Sequence, residues 1–448
     1  MRRTRRPLTI SILAAIFLLV CLSSVRAFEQ QFADDAKKIR LRWRGVTINL
    51  ALSNSLKSAP ANFKTGSDVA GAVQRSLATW ERAANIRFNI VWTDKQSISS
   101  PDGAGDSVNL ITVAATTENV ASFQGEASEM AGRTRVFFTK RGTITEADIV
   151  LNPYQQFSTD GTAGTYDFES ALTHEIGHLL GLDHSELPAA TMNAQQGKNG
   201  VFGLNAFAPR TLSEDDRAGV RSIYGTRGKT EKCCGAIIGT LSLPDGKPAS
   251  HLQVWAEEIV TGKLAAATFS ASNGAFQFAG LRAGKYRILT QSVRESNHSV
   301  VLSAAEVGEA FVEKGATTTL NQILILRPKT FDLRFIGFNN QLSTLAVPIN
   351  AGRSYLVFIG GRDFALENLS EEAIGVNSPY LAVNRASITA QDFGSDVSVL
   401  SFQLDVDAET PKGEYSIRLQ KKNGETIYFV GSLTVDDVDN QQQNYIIN

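Results

Sequence analysis

Cysteine is almost absent. Of 448 residues only three are Cys, and Cys21 falls inside an N-terminal apolar run. The remaining pair, Cys233 and Cys234, cannot build a disulfide framework. As chain neighbours they leave three readings open: a vicinal disulfide, a free or intermolecular pair, or no role. Methionine is equally scarce, with three residues at Met1, Met130 and Met192, and histidine numbers five. Charge of either sign is not in excess, since 44 Lys and Arg face 45 Asp and Glu for a net charge of -1. That balance offers no bulk basic surface to neutralise phosphates, which excludes nucleic acid as an expected partner. Beyond the N-terminus no stretch is long and apolar enough to span a bilayer.

The N-terminus reads as a signal peptide over residues 1–27. Arg2, Arg3, Arg5 and Arg6 precede the apolar run Leu8 to Leu22, and Val25-Arg26-Ala27 supplies a small-residue cleavage site. The mature chain is expected to begin at Phe28, secreted and without a stable membrane span.

Three of the five histidines lie in one stretch, Thr173 to Ser185, reading T-H-E-I-G-H-L-L-G-L-D-H-S. His174 and His178 stand four apart, so on a helix their rings project from one face and can share a tetrahedral ion, with Glu175 beside it. Gly181 tolerates positive φ, which lets the helix end and the chain swing back to bring in His184. Three imidazoles leave one position open, as in a catalytic rather than a structural zinc site. Phe168, Leu172, Ile176, Leu179 and Leu180 form an apolar set on the same segment. A buried helix and a metal site are therefore expected together.

The extended pattern H-E-x-x-H-x-x-G-x-x-H resembles the metzincin zinc peptidases. Ser185 directly after the third histidine, Met192 eight residues past His184, and the segment Leu212 to Gly225 are similar to the matrixins, the matrix-metalloproteinase-like family. The resemblance covers roughly Lys38 to Gly225. It implies an α+β catalytic domain, with a twisted mixed sheet and an active-site helix, over residues 28–228. It further implies one catalytic zinc on His174, His178 and His184, Glu175 as general base, Gly181 and Met192 as structural residues of the site, and protein or peptide substrates. Ser213 with Asp216 also reads independently as a helix N-cap, and Gly225 as its stop.

Strands are expected at Arg42 to Leu50, Ile86 to Trp92, Val108 to Thr112, Arg133 to Thr139 and Ala147 to Asn152, with a helix capped by Ser67 or Asp68. By resemblance, Arg133 to Thr139 is the edge strand that a peptide substrate joins. The chain departs from vertebrate-type matrixins in three respects. No cysteine follows Phe28 before the first strand, so no cysteine switch is available. No histidine lies between Phe28 and Thr173, so one zinc is expected and not two. Asn193-Ala194-Gln195 replaces the family's Tyr-containing turn, which leaves Asn193 to Pro209 as the expected pocket wall. Calcium is common in the family, and Asp102, Asp106 or Glu126 could serve it or be solvated loop acids.

Past a charged linker at Thr226 to Lys232 the chain is strand and turn. Residues 235–328 resemble the carboxypeptidase-regulatory-like sandwiches, and residues 329–438 read as an Ig-like sandwich with a hairpin at Asn423-Gly424. Gly284-Lys285-Tyr286 and Gly413-Glu414-Tyr415 open strands alike. His251 and His298 have no partner at metal spacing and read as surface residues. The tail 439–448 is polar. The expected function is an exported zinc endopeptidase whose two β-domains could also bind extracellular polymer or protein. The competing expectation is an extracellular adhesion or matrix-binding protein whose zinc domain is inactive or latent.

Overall fold

A computed structural model describes residues 30–34, 39–57, 60–125, 130–226, 233–293, 302–325, 327–393 and 397–436. The signal peptide, Glu126, linker residues 227–232, His298 and the tail lie outside the described residues. Among the described residues no helix is long and apolar enough to cross a membrane.

The N-terminal unit is a five-stranded mixed sheet carrying helices. Strands β1 (Thr47–Ser53), β2 (Arg87–Thr93), β3 (Leu110–Thr112), β4 (Gly132–Phe138) and β5 (Ile144–Leu151) run in the order β2-β1-β3-β5-β4. All neighbours pair in parallel except β4, which lies antiparallel to β5 at the sheet edge. The first strand starts at Thr47 rather than Arg42, because Arg42 is drawn into an isolated bridge with Thr143. Helix α1 (Val69–Ala83) is capped by the Asp68 carboxylate, which accepts from the Gly71 N–H at 2.9 Å. It buries Val69, Val73, Leu77 and Trp80 at helical spacing. A short helix, α2 (Thr117–Ala121), has no counterpart in the expected elements. The pair β6 (Phe157–Ser158) and β7 (Tyr166–Asp167) leads into α3 (Phe168–Leu179), which carries the first two histidines and is buried along almost its whole length. Helix α4 (Glu214–Tyr224) closes the unit with a capping box between Ser213 and Asp216.

Two all-β units follow. The first has a four-stranded sheet in the order β10-β9-β12-β13 and a three-stranded sheet in the order β11-β8-β14. Its strands are β8 (Cys234–Ser242), β9 (Gln253–Glu258), β10 (Leu264–Phe269), β11 (Ala275–Arg282), β12 (Gly284–Gln291), β13 (Ala305–Val312) and β14 (Thr317–Ile323). The second comprises β15 (Asp332–Phe338), β16 (Gln341–Ser343), β17 (Val347–Ile349), β18 (Arg353–Arg362), β19 (Leu369–Val376), β20 (Leu381–Gln391), β21 (Ser398–Val406), β22 (Gly413–Lys421) and β23 (Thr426–Val435). Its sheets are ordered β16-β15-β18-β21-β20 and β17-β23-β22-β19. The two Gly-x-Tyr strands share a physical device. Tyr286 donates its hydroxyl to the Arg282 carbonyl at 2.8 Å, and Tyr415 to the Pro411 carbonyl at 2.7 Å. Each buried ring thereby fixes the corner before its strand, as in tyrosine-corner sandwiches. Cys233 and Cys234 form a vicinal disulfide at the start of β8, which selects one of the three readings.

The three units share apolar contacts. Leu187 and Ala190, between the third histidine and Met192, pack with Trp255 and Leu264 of the first sandwich and Tyr428 and Val430 of the second. Phe202 and Leu204 sit in the core of the second sandwich. Polar groups add to this joint. Asp215 accepts from the Ala267 N–H of β10 at 3.0 Å, and buried Glu414 of β22 accepts from the Glu214 N–H at the start of α4 at 3.3 Å.

Glu414 makes this joint sensitive to pH. Burial pushes its carboxyl up to about 8 from an ordinary 4.5, and repulsion from Glu214 and Asp216 adds to the rise. The Glu214 N–H and the Arg217 charge oppose it without prevailing. Between 4.5 and about 8 the folded chain keeps a proton that the unfolded chain has released. Stability from this group is therefore full below 4.5 and lost as pH rises to about 8. Glu414→Gln is expected to flatten that slope and to raise Tm at the alkaline end by several degrees. Thermal unfolding of both proteins across this range reads the outcome, and parallel slopes would refute it.

Candidate metal centre

The site is assembled from α3, the reversal after it and a returning turn. Asp167 caps α3 by accepting from the Ser170 N–H at 2.9 Å, and Arg210 grips the same carboxylate at 2.9 and 2.6 Å. At the other end the helical carbonyls are taken by side chains. Trp43 Nε1 donates to the Leu179 carbonyl at 2.9 Å, and the Tyr224 hydroxyl to the Leu180 carbonyl at 2.7 Å. Gly181 then turns the chain at φ 90°, where an added Cβ would lie 2.6 Å from the Leu41 carbonyl oxygen. Both the left-handed conformation and the close approach require glycine.

This reversal brings the three predicted histidines together. His178 Nε2 lies 3.1 Å from His174 Nε2 and 3.2 Å from His184 Nε2. Zinc at about 2.0–2.1 Å from each nitrogen in tetrahedral geometry would space them ~3.3 Å apart. The opposite ring nitrogens are held by backbone: His174 Nδ1 by the Thr191 carbonyl at 2.8 Å and His178 Nδ1 by the Leu182 carbonyl at 2.9 Å. A carbonyl accepts, so Nδ1 carries the proton and Nε2 offers its lone pair inward. Burial holds His174 well below the usual imidazole range and pushes His178 down to about 4, with neighbouring rings repelling a second charge, and it lowers His184 against the opposing charges of Asp183 and Glu186. Neutral imidazoles with converging lone pairs are what a divalent ion requires, so the donor set fits a metal.

Glu175 points from the same helix toward β4. Its Oε2 accepts from the Thr134 hydroxyl at 2.6 Å, and the same hydroxyl lies 3.0 Å from the Glu175 carbonyl. Burial pushes its carboxyl up to about 7, against the Thr134 hydrogen bond and the Arg133 charge. Gly132 makes room for it, since a Cβ there would come within 2.9 Å of the Glu175 side chain. Met192 lies beneath α3. At Gly177 a Cβ would meet its Sδ at 2.2 Å and Trp80 at 3.0 Å, so the helix can rest on the sulfur only because Gly177 has no side chain. Thr134, Gly132 and Gly177 were not singled out from sequence. Only Gly177, standing between the first two histidines, carried a signal that could have found it.

The turn at Met192 is held from α4. Asp216 accepts from the Thr191 N–H at 2.8 Å, the Met192 N–H at 3.2 Å, and the Ser213 N–H and hydroxyl at 3.0 and 2.8 Å. Ser185 donates its hydroxyl to Asp215 at 3.0 Å and its N–H to the Met192 carbonyl at 2.8 Å. His184 borders a cleft of about 650 Å³ whose far wall includes Gln291, Lys329 and Arg334 of the sandwiches.

Of the acids considered for calcium, Asp102 and Asp106 lie among the described residues. Asp106 is paired with Lys95 and accepts from the Val108 N–H, while Asp102 is exposed in the loop before it. Among the described residues His174, His178 and His184 form the one group of three or more His, Cys, Asp and Glu able to share an ion. His251, at φ 60°, lies in an exposed bend of the first sandwich away from that group.

Gly177→Ala tests the support beneath the ligands. The added methyl has to displace Met192 or lift α3, at about 1–3 kcal/mol. Zinc affinity is expected to fall roughly tenfold or more. Competitive chelator titration beside thermal unfolding reads both quantities, and wild-type affinity in the variant would remove Met192 from the support of the site.

Comparison with known proteins agrees with this geometry. The matrixin family model matches residues 42–225. Matrix metalloproteinase-2 of Drosophila melanogaster is 28% identical over 191 residues, 42% of this chain and 22% of its own. Matrilysin of Homo sapiens is 36% identical over 74 residues, 16% of this chain and 26% of its own, and Metalloendoproteinase 1-MMP of Arabidopsis thaliana 43% over 67, 14% and 15%. The chain thus spans about a quarter or less of the length of these relatives. Among solved structures the major pilin subunit BcpA of Bacillus cereus aligns at 15% identity over 44% of this chain and 66% of that one, with a TM-score of 0.18, which carries no functional weight. Residues 42–225 form a matrixin-like domain with a histidine metal cluster, followed by two all-β units.

Proposed function

We propose that the chain is an exported, zinc-dependent endopeptidase, with His174, His178 and His184 as ligands and Glu175 as general base. The observation that carries the reading is the convergence of three Nε2 atoms beside a buried carboxylate. That carboxylate is restrained by the strand hydroxyl of Thr134 instead of by a cation. Zinc, when bound, supplies Lewis-acid polarisation of the scissile carbonyl and acidifies the attacking water.

The remaining chemistry belongs to the chain's own residues. Glu175 takes the proton of the attacking water and passes it to the departing amine. Burial raises this carboxyl while a divalent ion on the three imidazoles would favour its charged form, and these opposed effects suit a group that accepts a proton and then releases it. Thr134 fixes the carboxylate rotamer and ties it to β4. That strand lies at the sheet edge, where its unpaired backbone can take an extended peptide as an antiparallel neighbour. Main-chain pairing of this kind grips any sequence and leaves selection to pockets. The arginine-rich, apolar N-terminal segment of the sequence supports export and secretion.

Purified Phe28 to Asn448 is expected to cleave a quenched mixed-sequence peptide library with about one zinc per chain. Glu175→Ala is expected to retain the metal and lose at least about a hundredfold in kcat/KM, in line with general-base catalysis. A metal-loaded wild type without cleavage would overturn the peptidase reading, and absence of bound zinc would overturn the site itself.

A further inference from the structure

The segment that follows Met192 is built into the second sandwich. Phe202 is buried at 2% exposure with φ 58°, a left-handed conformation that non-glycine residues rarely adopt. Its N–H donates to Gln341 Oε1 at 2.6 Å, and Asn339 Nδ2 donates to its carbonyl at 2.6 Å. Asn339 and Asn340 are themselves left-handed, at φ 49° and 59°, as the tight turn between β15 and β16 demands. Two steps on, Thr344 hydrogen-bonds the Gln195 side chain. Leu345 then packs so closely that a Cβ on Gly197 would lie 2.6 Å from its Cδ1.

These contacts enclose a cavity of about 90 Å³. A water needs ~10–15 Å³, so the space holds one side chain of a bound peptide. It is bounded by Ser170 and Ala171 of α3, one turn before His174, and by Thr191, whose carbonyl orients that histidine. Leu345 and Ala346 of the second sandwich contribute wall that the N-terminal unit does not possess.

Several of the polar groups around the cavity are already committed. Ser170 donates to the Ala206 carbonyl at 2.8 Å, and Thr191 Oγ1 donates to the Thr211 carbonyl at 3.0 Å. Asn193 Nδ2 donates to the Leu187 carbonyl at 3.0 Å, and Asp167 is paired with Arg210. Lys198, which also lines the cavity, holds its ammonium 4.9 Å over the Tyr166 ring, and with Ala171, Val201, Leu345 and Ala346 the wall is mainly carbon and suits an apolar occupant.

We propose that Leu345 is a specificity-determining residue, by which the second sandwich sets the size of the apolar side chain admitted beside the scissile bond. The inference rests on the peptidase reading above. It differs from a purely supporting role for the β-domain, because a support would change the rate for all substrates alike.

The test uses zinc-loaded Phe28 to Asn448 and peptides in which each position flanking the cleaved bond is varied through Ala, Leu, Phe and Trp. In Leu345→Ala the wall recedes, and the kcat/KM ratio of the larger to the smaller apolar residue is expected to rise about tenfold at one position only, the scale of a methylene-sized change in an apolar pocket. Leu345→Trp is expected to shift the same position the opposite way. Leu366→Ala, an exposed residue on the same sandwich, is expected to keep the wild-type profile. Circular dichroism melting confirms that each variant is folded. An unchanged profile in active variants, or a uniform loss at every peptide, would overturn the assignment of Leu345. Failure of wild type to cleave any peptide would instead sink the peptidase reading on which it stands.

Discussion

One buried carboxylate organises the metal centre. Asp216 caps α4 by accepting from Ser213 at Oδ2, and accepts from the Thr191 N–H at Oδ2 and the Met192 N–H at Oδ1. Four donors oppose, without cancelling, the burial that raises its pKa. The turn so fixed does two jobs: the Thr191 carbonyl sets the tautomer of His174, and the Met192 sulfur lies under Gly177. The ligand geometry thus depends on a helix that contributes no ligand. A buried acid satisfied by backbone N–H groups is strongly placed, since removing it would strand several donors at once.

The sandwiches extend that dependence outward. Asp215, next in sequence, holds Ser185 with one oxygen and a strand of the first sandwich with the other. Leu187 and Ala190 are packed by both sandwiches, so the chain between His184 and Met192 is clamped just after the third ligand. The β-units are therefore not appendages on a flexible tether. The cleft beside His184 takes part of its wall from them.

Much of this was legible in sequence, and the parts that were not share a cause. The helix carrying His174 and His178, its glycine stop and the Asp68 and Ser213 caps follow from local spacing and turn chemistry, whereas the edge position of β4 was implied only by the family resemblance. The paired Gly-x-Tyr openings were legible as a pattern, and their meaning came only with the hydroxyl contacts to Arg282 and Pro411. Thr134 and Gly132 escaped because their partner, Glu175, is some forty residues away in the chain and no local rule links an edge strand to one carboxylate. Arg42 was assigned to a strand on alternation alone, whereas its backbone answers to Gly142 and Thr143. Phe202 in a left-handed conformation runs against its own preference and is held there by Asn339 and Gln341, which no reading of the segment itself could supply.

The burial of Phe202 and Leu204 in a core that includes Leu433 and Val435 also ties the site to the order of synthesis. A chain synthesised from its N-terminus presents the three histidines long before β23 exists. Until that last strand closes the second sandwich, the two side chains have no core to enter and the wall over Gly197 is missing. Completion of the cleft is thereby deferred to the end of the chain.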